Sequence, residues 1–326
     1  MTGPKRRLWL VMAVLLPLAT AAAPALAGLN EGLVAQQKGE LLTAIKEFTP
    51  LAKAGNTVAQ VKLAEIYFNG GKGVERNIAL GMEWLRKAVA GGNVDAIYFY
   101  SQVLINGTLD QAKNVPEAVR LLELIATKAN DQRAMAALAQ IYLSGQGVAK
   151  DEARAVALFM KLGELGNGGA WRVLAGLANA GEAGLPRDPA TVAGYLAKGV
   201  AAGDVLSHLY LGQLYMQGLG VDKNEKEGAR LIQLAAEGGD FSAMMAMANF
   251  YVSGAGGFSA DNEAALKWLS IVLNRSPPGD AYFQASLAAQ DLRKHMSNAA
   301  VQRAQEEAGR WQPKAIRPAA APAKKP

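Results

Sequence analysis

Six segments of this chain repeat one pattern at a nearly fixed interval, and that interval constrains the architecture before any single residue does. Counted from the step ahead of each copy, at Gly55, Gly92, Asn130, Gly166, Gly203 and Gly239, the spacings are 37, 38, 36, 37 and 36 residues. A regular period of roughly 20–50 residues marks stacked supersecondary units rather than one closed core. The most legible copy, Gly203 to Val221, reads GDVLSHLYLGQLYMQGLGV.

Within each copy the residue types recur by size. A small side chain stands four residues after the step: Ala59, Ala96, Ala134, Ala170, Ser207, Ala243. Four further on come Leu63, Tyr100, Leu138, Leu174, Leu211 and Met247, each followed by a second small residue: Ala64, Ser101, Ala139, Ala175, Gly212, Ala248. Then follow Tyr67, Leu104, Tyr142, Ala178, Tyr215 and Tyr251, and finally Gly70, Gly107, Gly145, Gly181, Gly218 and Gly254. Offsets of four, one and three lay these positions along one side of a helix. Small residues admit a neighbouring helix closely, and the Leu and Tyr positions fill the space between. The closing glycine suits a helix C-terminus, where a positive φ makes a Cβ costly. A second helix follows a short loop; in the first copy it spans Asn77 to Ala90, with Trp84, Leu85 and Ala88 as its apolar stripe. A helix pair of this size cannot bury its own apolar face, so each must stack on its neighbours.

The pattern Ala-x-x-x-Leu-Gly/Ala-x-x-Tyr-x-x-Gly, followed by a Gly-x-Gly-Val loop, resembles the Sel-one-like repeat family, a branch of the tetratricopeptide superfamily. The best loop matches are Gly71-Lys72-Gly73-Val74, Gly145-Gln146-Gly147-Val148 and Gly218-Leu219-Gly220-Val221. The resemblance covers about Gly55 to Arg275 and implies an all-α fold: an α/α solenoid of about six to seven helix–turn–helix repeats of 36–38 residues, with capping helices. It implies protein–protein contact and no reaction. Some bacterial members carry a cysteine pair in each repeat. This chain has no cysteine, so functions tied to that branch do not transfer.

The amino terminus has a different logic. Lys5-Arg6-Arg7 precedes an apolar run from Leu8 to Leu18, and Ala25-Leu26-Ala27 precedes Gly28. A basic start, a short apolar stretch and an A-x-A site make a secretory signal. Eleven apolar residues fall short of the ~20 a membrane span needs, so the expectation is cleavage after Ala27, with a cut within residues 21–23 as the alternative, and a periplasmic or secreted bacterial product with no membrane insertion after cleavage. The formal charge of +6 misleads: of 34 Lys and Arg, three lie in the signal and four at Lys314, Arg317, Lys324 and Lys325, leaving 27 against 28 acidic residues. Such a body gives no reason to invoke nucleic acid, which needs clustered basic residues on one face.

The boundaries follow: a signal at 1–27, capping helices at 28–54, the repeat array at 55–275, C-terminal capping helices at 276–311, and a disordered Pro/Ala/Lys tail at 312–326. Pro50 marks a kink or break in the second capping helix. Pro116 and Asp188-Pro189 open second helices, with Asp151, Asp188 and Asp261 as caps. Asn224 and Glu227 have capping-box spacing, and Ser297 caps the last helix. The fourth repeat is irregular: Ala178 stands where a Tyr is expected, and its loop reads Gly181-Glu182-Ala183-Gly184-Leu185-Pro186. Either it repacks with ordinary drift, Trp171 helping to fill the gap, or it makes a local bend or pocket.

No catalytic constellation emerges: the two His, His208 and His295, form no metal-ligand spacing, and no nucleophile elbow or phosphate loop is present. The expectation is therefore no enzyme, no cofactor and no metal. One polar set stands apart. Two residues past the Leu position lie Glu65, Gln102, Gln140, Gly176, Gln213 and Asn249. The matching position in tetratricopeptide repeats faces the concave groove, so the resemblance implies a polar ladder there, able to hydrogen-bond an extended peptide or a protein edge. Tyr98 and Arg172 would add an anchor and a charge, and Asn69, Asn106, Ser144, Gln217 and Ser253 recur just before the closing glycine. The leading reading is a scaffold or adaptor for protein partners. A regulatory subunit of an envelope or cell-wall enzyme and a small-molecule or glycan binder are the alternatives. The partner's identity and the oligomeric state are not legible.

Overall fold

The computed structural model describes residues 22–107, 112–316 and 318, with side chains from residue 28. Most of the expected signal, and the tail at 317 and 319–326, therefore lie outside the described residues. Among the described residues there are sixteen α-helices and no strand beyond an isolated bridge between Gly71 and Val74. They fall into two compact units, one ending at Ala129 and the other starting at Asn130.

The first unit holds α1 (Ala22–Gln37), α2 (Leu41–Lys53), α3 (Thr57–Asn69), α4 (Ile78–Ala90), α5 (Val94–Asn106) and α6 (Val115–Lys128). Here α2 runs on through Pro50 to Lys53 rather than breaking there, and Thr49 turns its Oγ1 onto the Ile45 carbonyl. Its core gathers Phe48, Leu63, Met82, Trp84 and Leu85 between successive helices.

The second unit holds α7 (Gln132–Ser144), α8 (Glu152–Glu164), α9 (Gly168–Ala180), α10 (Pro189–Ala201), α11 (Val205–Gln217), α12 (Glu225–Glu237), α13 (Phe241–Ser253), α14 (Asn262–Arg275), α15 (Asp280–Arg293) and α16 (Asn298–Arg310). Each helix packs on the next through α15, and α9 also meets α11. The last repeat is closed by α15 and α16, which bring Ala285, Ala289, Ala304 and Ala308 onto Met244, Met247, Leu266 and Leu269. Arg303 of α16 donates two bonds to Glu263 of α14, at 2.8 and 2.7 Å, and holds that carboxyl below the usual range.

The twelve repeat helices share one opening device. The first helix of each pair is capped by Asn56, Asn93, Asp131, Asn167, Asp204 or Asp240, whose side chain accepts from the amide three residues on. The second is capped by Asn77, Asn114, Asp151, Asp188, Asn224 or Asp261. The step before each first-helix cap has positive φ, from 51° at Asn130 to 104° at Gly239. That reversal lets a cap follow a helix end with almost no loop. Asn224 makes half of a capping box: it accepts from the Glu227 amide, but the Glu227 carboxylate turns to Arg230.

The small positions work as their spacing predicts. Ala59, Ala96, Ala134, Ser207 and Ala243 are fully buried. A close backbone approach joins α11 and α12: a Cβ on Gly212 would stand 2.8 Å from the Gly228 carbonyl oxygen, and one on Gly228 2.7 Å from that of Gly212. The large positions fill what remains, and Leu63, Leu138, Leu174 and Met247 are almost wholly buried. Each such side chain contributes about 1.5–3 kcal/mol by the area it removes from water.

Residues 312–316, which the sequence places in a disordered tail, instead lie along the loop ends of the last repeats. Trp311 meets Trp268 edge-on at 6.4 Å, beneath the Arg275 guanidinium at 5.1 Å. Arg275 donates to the Trp311 carbonyl and the Gln312 side chain, at 2.9 and 3.0 Å. The Lys314 amide donates to the Glu237 carbonyl at 2.8 Å and its ammonium pairs with the same residue's carboxylate at 3.0 Å. Ile316 then lies against Gly238, and its carbonyl against Gly203.

Candidate functional site

The polar ladder sorts itself by unit. In the first, Glu65 is half-buried and pairs with Lys62 at 2.7 Å; Tyr98 and Gln102 are also half-buried. In the second, Gln140, Gln213 and Asn249 are exposed at equivalent points of α7, α11 and α13, and Gly176 is exposed on α9. Part of the neighbouring polar row serves the helices themselves, since Ser144 and Ser253 donate back to the carbonyls of Ile141 and Asn249.

Two of the expected site residues, Arg172 and Gln213, come together. A cavity of about 480 Å³ opens between α9, α10 and α11. Its apolar walls are Val173, Ala175, Val192, Leu196 and Leu214, and its polar rim is Arg172, Asn179, Tyr210 and Gln213. Gly176 leaves the space open: a Cβ built there meets nothing within 4 Å. The Tyr210 side chain is exposed at 41%. Glu65, Tyr98, Gln102, Gln140 and Asn249 do not line this cavity.

Local chemistry fixes the guanidinium. Asp204 caps α11, and its Oδ2 accepts from the Ser207 amide at 2.8 Å, the Ser207 hydroxyl at 2.7 Å and Arg172 Nε at 3.2 Å. One carboxylate thus ends a helix and orients a charge on the preceding first helix. His208 is buried, with Nδ1 2.8 Å from the Asp204 carbonyl, a packing position. Among the described residues no three His, Asp or Glu gather as a metal would require.

The irregular repeat thus makes a pocket, though not by the route its sequence points to. Trp171 does not fill the gap at Ala178. Its ring stacks on Tyr195 at 6.1 Å and lies against Gly163 of α8, with Lys198 Nζ at 4.5 Å over its face. Ala178 is fully buried in a cluster with Val192, Ala193 and Leu196, against which Leu185 of the altered loop packs. Tyr210 was beyond the reach of repeat spacing, because the copies share no residue type at its position, and Ala175 read only as one of the recurring small positions. The signal that was available is Gly176, the one rung without a side chain.

The Sel1 repeat model matches residues 57–93, 94–130, 132–167, 205–240 and 241–271, more than half of the sequence. The chain belongs to the Sel1 repeat family. The match leaves out 168–204, the α9–α10 pair, which the structure shows to carry the same caps as the other Sel1 repeats. No curated relative matches the chain. Among solved structures, it is similar to a Sel1 repeat protein from Oxalobacter formigenes, at 23% identity and a TM-score of 0.67, over 83% of this chain and 77% of that one. It also matches c5321, a protective antigen of uropathogenic Escherichia coli with this repeat fold, at 20% identity and a TM-score of 0.40, over 90% and 77% of the two chains. These likenesses concern the fold. Sel1 repeat proteins generally mediate protein–protein interactions.

Proposed function

We propose that this Sel1 repeat protein is a non-catalytic scaffold or adaptor of the bacterial periplasm or exterior, exported by its amino-terminal signal, that binds protein partners on the ladder face of its first helices. The observation that carries the reading is the exposure of Gln140, Gln213 and Asn249 at one register of α7, α11 and α13. The large positions two residues earlier on the same helices, Leu138, Leu211 and Met247, are buried. The amides do no packing, and they sit on rigid, individually capped helices. An amide row supplies both donors and acceptors, which suits a peptide backbone or a sheet edge. It supplies no acid, base or nucleophile of the kind a reaction needs.

The test is crosslinking in cells with mass spectrometry, using a tagged chain that keeps its signal, against a variant carrying Gln102→Ala, Gln140→Ala and Gln213→Ala. The expected result is a discrete protein partner from the envelope fraction that disappears in the variant. A partner retained by the variant would move the site off this face. Turnover of a substrate by the purified chain, abolished by one ladder substitution, would overturn the non-catalytic reading.

A further inference from the structure

We propose that the cavity between α9, α10 and α11 is a specificity pocket for an extended partner segment in which an aliphatic side chain lies beside a carboxylate. The inference rests on the ladder face being the partner-binding face, and it states what that face selects.

Size and lining come first. About 480 Å³ is within the range of roughly 300–1,000 Å³ typical of ligand sites. That volume admits one branched side chain with its flanking peptide groups. The walls from Val192, Leu196 and Leu214 are aliphatic, so the group that enters is aliphatic too. The opening exists because the ladder skips a rung. Five repeats place Glu, Gln or Asn at this register, and only the fourth places Gly176, whose missing side chain would have pointed into empty space.

The charge is supplied by Arg172, the one fully charged residue of the lining. Its Nε is held by Asp204 at 3.2 Å, and the two Nη groups have no protein partner among the described residues. A guanidinium binds carboxylates through a planar fork, and fixing one edge leaves the other pre-oriented. Asp204 does not cancel this charge outright. It also accepts from the amide and hydroxyl of Ser207 at the positive end of α11, so its negative charge is shared with the helix terminus. A carboxylate from the ligand completes the set.

The amides identify the ligand as peptide. Asn179 and Gln213 stand on the two first helices that flank the gap, each with a donor and an acceptor. Tyr210 adds one exposed ring at the mouth. A sugar would call for ring faces to stack upon, and the walls offer aliphatic groups instead.

The experiment uses the purified chain with labelled Val and Leu methyl groups. The probes are two pools of acetylated, amidated tetrapeptides: one with Leu, Ile or Val followed by Asp or Glu, the other with the same residues followed by Asn or Gln. The acidic pool is expected to shift the methyl signals of Val173, Val192, Leu196 and Leu214, and the neutral pool to bind about tenfold more weakly. Gly176→Gln fills the space and abolishes the shifts without lowering the melting temperature, because it replaces a helical glycine. Arg172→Gln brings the acidic pool down to the level of the neutral one. Equal binding of both pools, shifts that survive Gly176→Gln, or no response to the acidic pool overturns the proposal, as does a response confined to glycan fragments. In cells, a partner lost by the triple glutamine variant but kept by Gly176→Gln removes this pocket and leaves the ladder reading standing. A partner kept by the triple glutamine variant, or none captured by the native chain, removes the ladder reading itself.

Discussion

At the scale of the residue, a missing side chain does opposite work on two neighbouring helices. At Gly212 the hydrogen permits contact between α11 and α12, since a Cβ would press on the Gly228 carbonyl at 2.8 Å. At Gly176 it faces open space. Gly212→Ala is therefore expected to destabilise by about 1–3 kcal/mol through overpacking, although alanine is the better helix former. Gly176→Ala is expected to stabilise by about 0.5–1 kcal/mol. Urea unfolding of both variants checks the pair; equal signs would mean that the helix faces are misassigned. The period of the sequence could anticipate Gly212, because it occupies the same small position as Ala64, Ser101, Ala139, Ala175 and Ala248. It could not show what Gly176 opens, since that depends on Tyr210, Asn179 and the α10 wall, which periodicity does not connect.

At the scale of the element, twelve helices start in the same way, and their caps differ chiefly in charge. Asp131 opens α7, and the Arg133 guanidinium together with the Ala134 amide holds its carboxyl below the usual carboxylate range. A carboxyl whose folded pKa is depressed stabilises fully above its unfolded value of about 3.9, and the contribution is lost as pH falls through the folded value. Asp131→Ala should cost about 1 kcal/mol near neutral pH. Asp131→Asn, which keeps a cap acceptor, should lose only the pairing with Arg133, by a difference that shrinks as the solution is acidified through the folded pKa. Urea midpoints across that range test this; a difference between Asp131→Asn and the native chain that grows on acidification would contradict it. The second-helix caps Asp151, Asp188 and Asp261 were legible, because each stands between a loop and an apolar stripe. The first-helix caps were hidden behind the more conspicuous glycine step. Pro50 does not break its helix, because a proline in a short helix removes one hydrogen bond, and packing of Phe48 and Ala52 outweighs that loss.

At the scale of the whole molecule, stacking couples each repeat to its neighbours only, so the ends of each compact unit set its weakest points. The end of the second unit is closed twice, by α15 and α16 and by the returning segment from Trp311 to Ile316. Trp311→Ala should release that segment, losing an aromatic pair and a cation–π contact worth about 1–2.5 kcal/mol together. Hydrogen exchange should then quicken in α12 to α14 while α7 and α8 keep their protection. Uniform acceleration throughout the unit would show that the segment supports the whole rather than its end. The same segment has a consequence for biosynthesis. Residues 311–316 follow in the chain every helix they touch, so wherever the chain emerges amino-terminus first they arrive last. Until they dock, the loop edge at Gly203, Gly238 and Gly239 is bare and open to whatever escorts a newborn chain. Docking of this segment, and not the stacking of the final helix, is the event that closes this end.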